Sequence, residues 1–265
     1  MYPRDFEKYE GTGNDFVVVE AEGPAGGELT RALCDRHFGI GADGVLTVAP
    51  PRSPGARAAM IVENADGSRP EMCGNGLRCV ALHLALRDGV AQARYAIDTD
   101  AGLREAEVAV DGRVAQVTLG LGRAERVGEH RAELDGEEFR FVRMGIGNPH
   151  AIRVGPLMTA ERLDRLGPLV SGALPGGSNV ELVERRPDGA FDLVVWERGA
   201  GRTLACGTGA GATAALLALM GEAPYDAPVR IHLPGGPLAL RVARGSLDVE
   251  LQGPARHVFG GRLPP

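Results

Sequence analysis

Two cysteines occupy the same unusual setting in this chain of 265 residues. Cys73 opens the run Cys-Gly-Asn-Gly and Cys206 opens Cys-Gly-Thr-Gly, each just ahead of a segment with helical composition. Unpaired backbone N–H groups and the positive end of a helix dipole favour an anion at such a position. A thiol there is expected to have its pKa lowered from the free value of about 8.5. The same N–H groups can hold a carboxylate or meet negative charge as it develops. Cys34 and Cys79 lie within predicted helices and read instead as small buried hydrophobes. The histidines, His37, His83, His130, His150, His232 and His257, show no metal-ligand spacing, so no metal is expected.

A second group is polar and lies in glycine-flanked loops or at strand ends: Asn14, Asn64, Asn148, Asn179 and the pair Glu197-Arg198. Taken singly, each asparagine reads equally well as a turn former, and the pair as a strand-end ion pair. Position sets them apart, because Asn64 precedes Cys73 as Glu197 precedes Cys206. The chemistry that wants two such thiols is inversion at an α-carbon. One base takes the proton from one face and a second acid returns a proton to the other, which requires paired groups of matched pKa. Oriented dipoles in a site shielded from water must then meet the carbanion charge. The basic residues are 28 arginines and a single lysine, Lys8. A lysine Schiff base has almost no candidate, and a route without a cofactor is expected.

The elements that must position these groups occur in a repeated order. Strands are expected at 16–20, 45–49, 57–63, 93–98, 103–110, 113–119, 137–144, 150–154, 180–184, 191–197, 228–233, 237–243 and 247–251. Helices are expected at 28–38, 77–87, 159–170 and 210–222. The stretch 210–220 carries no charge, and a helix apolar on every side belongs inside a fold. MCGNGLRCVALHLAL aligns with ACGTGAGATAALLAL at an offset of 133, and GTGNDFVVV with GIGNPHAIR at 134. Two matches in nearly one register point to an internal duplication.

Composition narrows the remaining classes. With 44% hydrophobic and 24% charged residues the chain is an ordinary globular one. A net charge of −6 and a pI near 5.6 argue against a nucleic-acid binder. No run of eighteen apolar residues suggests a membrane span, and MYPRDFEKYE does not read as a signal peptide. Four cysteines without a regular framework fit a reducing cytoplasm.

With these residues in view, the chain resembles the diaminopimelate epimerases, cofactor-independent amino-acid epimerases of lysine and peptidoglycan precursor synthesis. The similarity runs from KYEGTGNDFVVVE through DRHFGIGADGVL, NADGSRPEMCGNGLRC, GIGNPHAI and SNVELVE to ERGAGRTLACGTGAGA and GPARHVF. The resemblance implies Cys73 and Cys206 as acid–base thiols. It implies that Asn14, Asn64, Asn148, Asn179, Glu197 and Arg198 line the substrate site, with backbone groups at Gly74, Asn75, Gly207 and Thr208 on the reacting carboxylate. His150 and Glu197 are implied as supporting polar groups. The implied fold class is α+β, two pseudo-symmetric domains, each a mixed strand set wrapped around a central helix, with the site in the interdomain cleft. Boundaries are expected at 1–119 with 254–265 returning to that domain, and 120–253. A homodimer acting on a small amino acid is implied by the family alone.

Three positions depart from the family pattern: Glu63 where an aromatic residue is common, Gly211 for a frequent third cysteine, and Gly44 where some members have glutamine. Related racemases share the two-thiol plan, while phenazine-type isomerases of the same fold lack the cysteine pair. The alternatives are a racemase of another amino acid on this scaffold and a non-enzymatic redox or anion-binding module. Two facing thiols would also make activity depend on reductant.

Overall fold

The computed structural model describes residues 4–263. The chain divides into two compact units, the first running to Leu119 and resumed from Gly253, the second Gly120–Gln252. The first holds β1 (Asp5–Gly11), β2 (Asn14–Glu20), α1 (Gly27–Cys34), β3 (Gly44–Ala49), β4 (Ala58–Asn64), α2 (Gly74–Asp88), β5 (Gln92–Thr99) and β6 (Gly102–Asp111). Strand β7 (Val114–Arg123) begins in it and leads to β8 (Glu125–Leu134) of the second unit. There follow β9 (Glu137–Gly145), β10 (Pro149–Val154), α3 (Ala160–Gly172), β11 (Asn179–Arg185), β12 (Phe191–Glu197) and the short β13 (Gly201–Thr203). The chain then forms α4 (Gly207–Leu219), β14 (Val229–Leu233), β15 (Gly236–Val242) and the long β16 (Asp248–Arg262).

In the first unit the strand order is β1-β2-β3-β4-β5-β6-β7-β16, and β16 pairs back onto β1, closing a ring of eight. Pairings β2–β3 and β4–β5 are parallel, whereas β1–β2, β3–β4, β5–β6 and β6–β7 are antiparallel. The second unit repeats this alternation. There β10–β11 and β12–β14 are parallel, and β9–β10, β11–β12, β14–β15 and β15–β16 are antiparallel. One further backbone hydrogen bond recurs at repeat-equivalent positions. The His257 N–H donates to Arg113 O at 2.8 Å in one unit, and the Ala124 N–H to Leu247 O at 2.9 Å in the other.

In each unit one helix is buried among the strands. Asn75–Ala85 of α2 is buried throughout, as is nearly all of α4 from Gly207 to Ala218. Burial on every side favours an all-apolar helix, which explains the missing charges of α4, whereas α2 buries Arg78 and His83 with hydrogen-bond partners. Helices α1 and α3 lie outside, each with only one buried face. In α3 that face is Leu163, Leu166 and Val170, which join Phe139, Phe141 and Leu182 in one cluster.

Several elements differ from expectation. Helix α1 stops at Cys34 instead of 38, because the Asp35 carboxylate accepts from the His37 and Phe38 N–H groups and turns the chain. Strands β1, β8 and β13 were not expected, and β16 runs eleven residues further than 251. Both inner helices begin three residues earlier than expected, at Gly74 and Gly207. Glycine is a poor helix former, but the capping cysteines supply acceptors for these first turns.

Candidate active site

Cys73 and Cys206 are the N-caps of α2 and α4. Both have extended backbone, with φ −137° and −125°, and each sulfur accepts the N–H three residues on. Gly76 N and Gly209 N each lie 3.4 Å from their sulfur. The helix must start with small residues because strands crowd it. A Cβ added at Gly209 would sit 2.7 Å from Glu181 Oε1, and one at Gly76 2.9 Å from Leu46 Cδ2.

In the first unit β2 and β3 start, and β4 ends, at the α2 N-terminal end. Gly44 pairs with both Phe16 and Asn64 there. Asn14 opens β2, accepts from Asn75 Nδ2 at 3.2 Å and donates to Asp43 Oδ2 at 2.6 Å. Asn64 donates to Ser68 Oγ at 2.9 Å, so its amide also holds the turn before Cys73. Cys73 is half-buried, with Gly74 and Asn75 in the first turn beside it. The departures at Glu63 and Gly44 have physical reasons. Glu63 accepts from Ala25 and Gly26 N–H groups at the start of α1, and a Cβ at Gly44 would be 2.6 Å from Glu63 O.

The second unit surrounds its thiol with more polar groups. Asn148 precedes β10, Asn179 opens β11 opposite His150, and Glu197 ends β12. His150 Nδ1 lies 2.6 Å from Glu181 Oε1 and its Nε2 2.8 Å from Asn148 Oδ1. Asn148 Nδ2 donates to Thr208 Oγ1 at 3.3 Å, and that hydroxyl is 3.5 Å from Cys206 Sγ. Glu197 accepts from the Thr203 hydroxyl, and its carboxylate lies near enough to influence the Cys206 thiol. The Arg198 N–H donates to Asn179 Oδ1 at 2.9 Å, while its guanidinium donates to Gly176 O.

These neighbours overturn one expectation. The Cys206 thiol has its pKa raised well above the ordinary value, not lowered. Burial is the main cause, followed by the Glu197 and Glu181 carboxylates, against which Thr208 and the Gly209 N–H pull more weakly. Burial also raises Glu181 and Glu197, with His150 opposing in both cases. The helix terminus favours a thiolate, but desolvation disfavours any charge, and here it wins. Cys34 and Cys79 are buried, and burial pushes the Cys34 thiol up to about 11.

A fully buried residue, Glu181, was missed by sequence reasoning. Its signal was a single acid inside the otherwise apolar start of β11, Val180-Glu-Leu-Val183, all of it buried. The Nζ of the single lysine, Lys8, pairs with Asp15 at 2.7 Å and donates to Gly41 O.

The family model for diaminopimelate epimerase matches residues 6–127 and 142–258, which include both capping cysteines. The chain belongs to the diaminopimelate epimerase family. Among its relatives, the diaminopimelate epimerase of Xylella fastidiosa strain M23 is 39% identical, covering 98% of this chain and 96% of its own. That of Synechococcus elongatus is 40% identical, over 97% of each. A solved hydroxyproline epimerase from Agrobacterium vitis shares the fold with a TM-score of 0.76 at 16% identity, covering 99% of this chain and 94% of that one. A Bacillus anthracis phenazine biosynthesis protein does so at 0.71 and 15%, each chain fully covered. Family membership thus rests on the close relatives, and the solved structures carry the fold alone.

Proposed function

We propose that this protein is a diaminopimelate epimerase that interconverts LL- and meso-2,6-diaminopimelate, with Cys73 and Cys206 as its two acid–base groups and no cofactor. The observation that carries the mechanism is the repeated geometry: a sulfur capping an inner helix in each repeat, with hydrogen-bonded N–H groups one turn on. One thiolate takes the α-proton, and the other thiol delivers its proton to the opposite face. The protons exchange with solvent and the starting state returns. First-turn N–H groups at Gly74, Asn75, Gly207 and Thr208 meet the reacting carboxylate, since helix starts bind anions. Asn14, Asn64, Asn148, Asn179 and Arg198 hold the rest of the substrate, with the arginine suited to a carboxylate at the distal centre. His150 and Glu197 support Cys206 through the contacts described above.

We infer further that the enzyme works in the cytoplasm as a homodimer. None of the four cysteines is in a disulfide, and among the described residues no helix is long and apolar enough to cross a membrane. Sedimentation of the purified protein tests the dimer, and a mass of one chain contradicts it. For the activity, Cys73→Ala and Cys206→Ala are each expected to abolish epimerisation of LL-diaminopimelate while still unfolding cooperatively, with the small loss of stability that removing a helix cap brings. Near-normal turnover by either variant refutes the two-thiol assignment. Faster turnover of proline, hydroxyproline or histidine than of diaminopimelate would move the substrate assignment to another amino acid.

A further inference from the structure

The two repeats place unlike side chains around their capping thiols. Phe16 pairs with Gly44 as His150 pairs with Asn179, so strand register sets Phe16 against His150 and Leu46 against Glu181. The close approaches at Gly76 and Gly209 show that Leu46 and Glu181 face the same turn of their helices. That place is hydrocarbon in one repeat and a carboxylate in the other. Glu181 is fully buried, with Oε1 on His150 and Oε2 lacking any partner. Such a group costs stability that a leucine in the same place does not.

The opposite charge is buried in the first unit. Arg78 lies in α2 among the largest fully buried side chains, and its Nε donates to Pro254 O at 3.1 Å. Its Nη2 donates to Thr12 Oγ1 at 2.7 Å, and Nη1 has no partner. Thr12 is held at φ 58°, a left-handed conformation for a residue that rarely takes it. A Cβ at Gly11 would lie 3.1 Å from Arg78 Nη2 and 3.3 Å from Asn75 O, which sets the guanidinium beside the first helical turn that Cys73 caps. Cys79 is buried, and burial raises its thiol pKa strongly. Glu10 is already engaged by the Gly13 N–H at 3.0 Å and by Arg256 at 3.5 Å. At the offset of 133, Arg78 falls on Gly211, where even a Cβ would lie 2.5 Å from Leu121. Around Cys206 the titratable groups are Glu197 from β12, Glu181 from β11 and His150 from β10.

We propose that Arg78 and Glu181 are positioning residues that give the two thiols opposite electrical surroundings, so that the transferable proton of the free enzyme rests on Cys206. A guanidinium stays charged at any relevant pH, and buried charges act strongly across a dry interior. Free enzyme is therefore ready to abstract with Cys73 and to donate from Cys206. The inference rests on the two-thiol reading, but its test needs no turnover.

Whole wild-type protein and variants are alkylated with iodoacetamide across a pH series, and each cysteine peptide is quantified by mass spectrometry. Glu181→Gln keeps shape and removes the charge. It is expected to move the Cys206 rate profile to lower pH, raising the rate at pH 8 by at least about threefold, with the Cys73 profile unchanged. Arg78→Met is expected to slow Cys73 at pH 8 by at least about threefold, and Arg78→Lys to restore most of it. A merely structural role would change the high-pH plateau instead of the position on the pH axis. If Arg78→Met does not fold, Glu181→Gln still decides. A Cys206 profile in Glu181→Gln that superimposes on wild type overturns the proposal. So does an unshifted Cys73 profile in folded Arg78→Met. Loss of the two-thiol reading would show separately, as retained epimerisation by Cys73→Ala or Cys206→Ala.

Discussion

At Cys206 two donors, the Thr208 hydroxyl and the Gly209 N–H, favour the thiolate, while burial and the Glu197 and Glu181 carboxylates favour the thiol. In the proposed cycle the sulfur passes through both states, so neither influence can be removed freely. Thr208→Val deletes a donor to the sulfur and is expected to lower kcat by about tenfold with a smaller change in KM, in steady-state assays. A second residue-scale prediction concerns Lys8. Burial pushes the Asp15 carboxyl up, but Arg36 and Lys8 outweigh it and hold it below the usual range. A lowered folded pKa adds stability above the unfolded value, about 3.9, and that stability is lost as pH falls through the folded value. Lys8→Met is therefore expected to cost about 1–3 kcal/mol at pH 7, with the gap to wild type closing below pH 4 in thermal melts. The two capping thiols were legible because their motif occurs twice, and a repeated loop is difficult to explain as packing. Glu181 was not, since an acid between apolar strand residues looks like an outward position until the strand is seen to face an inner helix.

Among the elements, the inner helices were the easiest to foresee and the added strands the hardest. Helix α4 announces itself through its lack of charge, whereas β8 reads Glu-Arg-Val-Gly-Glu-His-Arg-Ala-Glu-Leu, with only Leu134 buried. A strand whose two faces are both polar gives no period-two signal, and pairing alone makes it a strand. Strand β1 was hidden for a related reason, because its charges include a buried lysine that pairs with Asp15. The outer helix α3 packs closely at one point. A Cβ at Gly167 would lie 2.4 Å from Trp196 Cγ, and Trp196 belongs to the strand that ends at Glu197. Gly167→Ala is expected to destabilise the protein by about 1–3 kcal/mol in denaturant titrations. It should also shift the Trp196 fluorescence, because the indole must give way.

Across the whole molecule the duplication organises what the sequence could show. The same parallel and antiparallel alternation, the same capping thiol and one equivalent backbone hydrogen bond recur, although few side chains agree. The strand that closes the first ring comes from the far end of the chain, which local patterns cannot reveal. Deleting residues from 253 onward is expected to strip amide-exchange protection from α2 well before α4, while Trp196, in the second unit, keeps native fluorescence. The unlike surroundings of the two thiols concern their readiness, but the central claim is that both act on one carbon. Incubating wild-type enzyme with LL-diaminopimelate in deuterium oxide tests it most directly. Meso product with one solvent deuterium at the inverted α-carbon is expected, and no such product from Cys73→Ala or Cys206→Ala. Meso product that keeps its original hydrogen, or deuterated meso product from either single-thiol variant at near-normal rate, would contradict it.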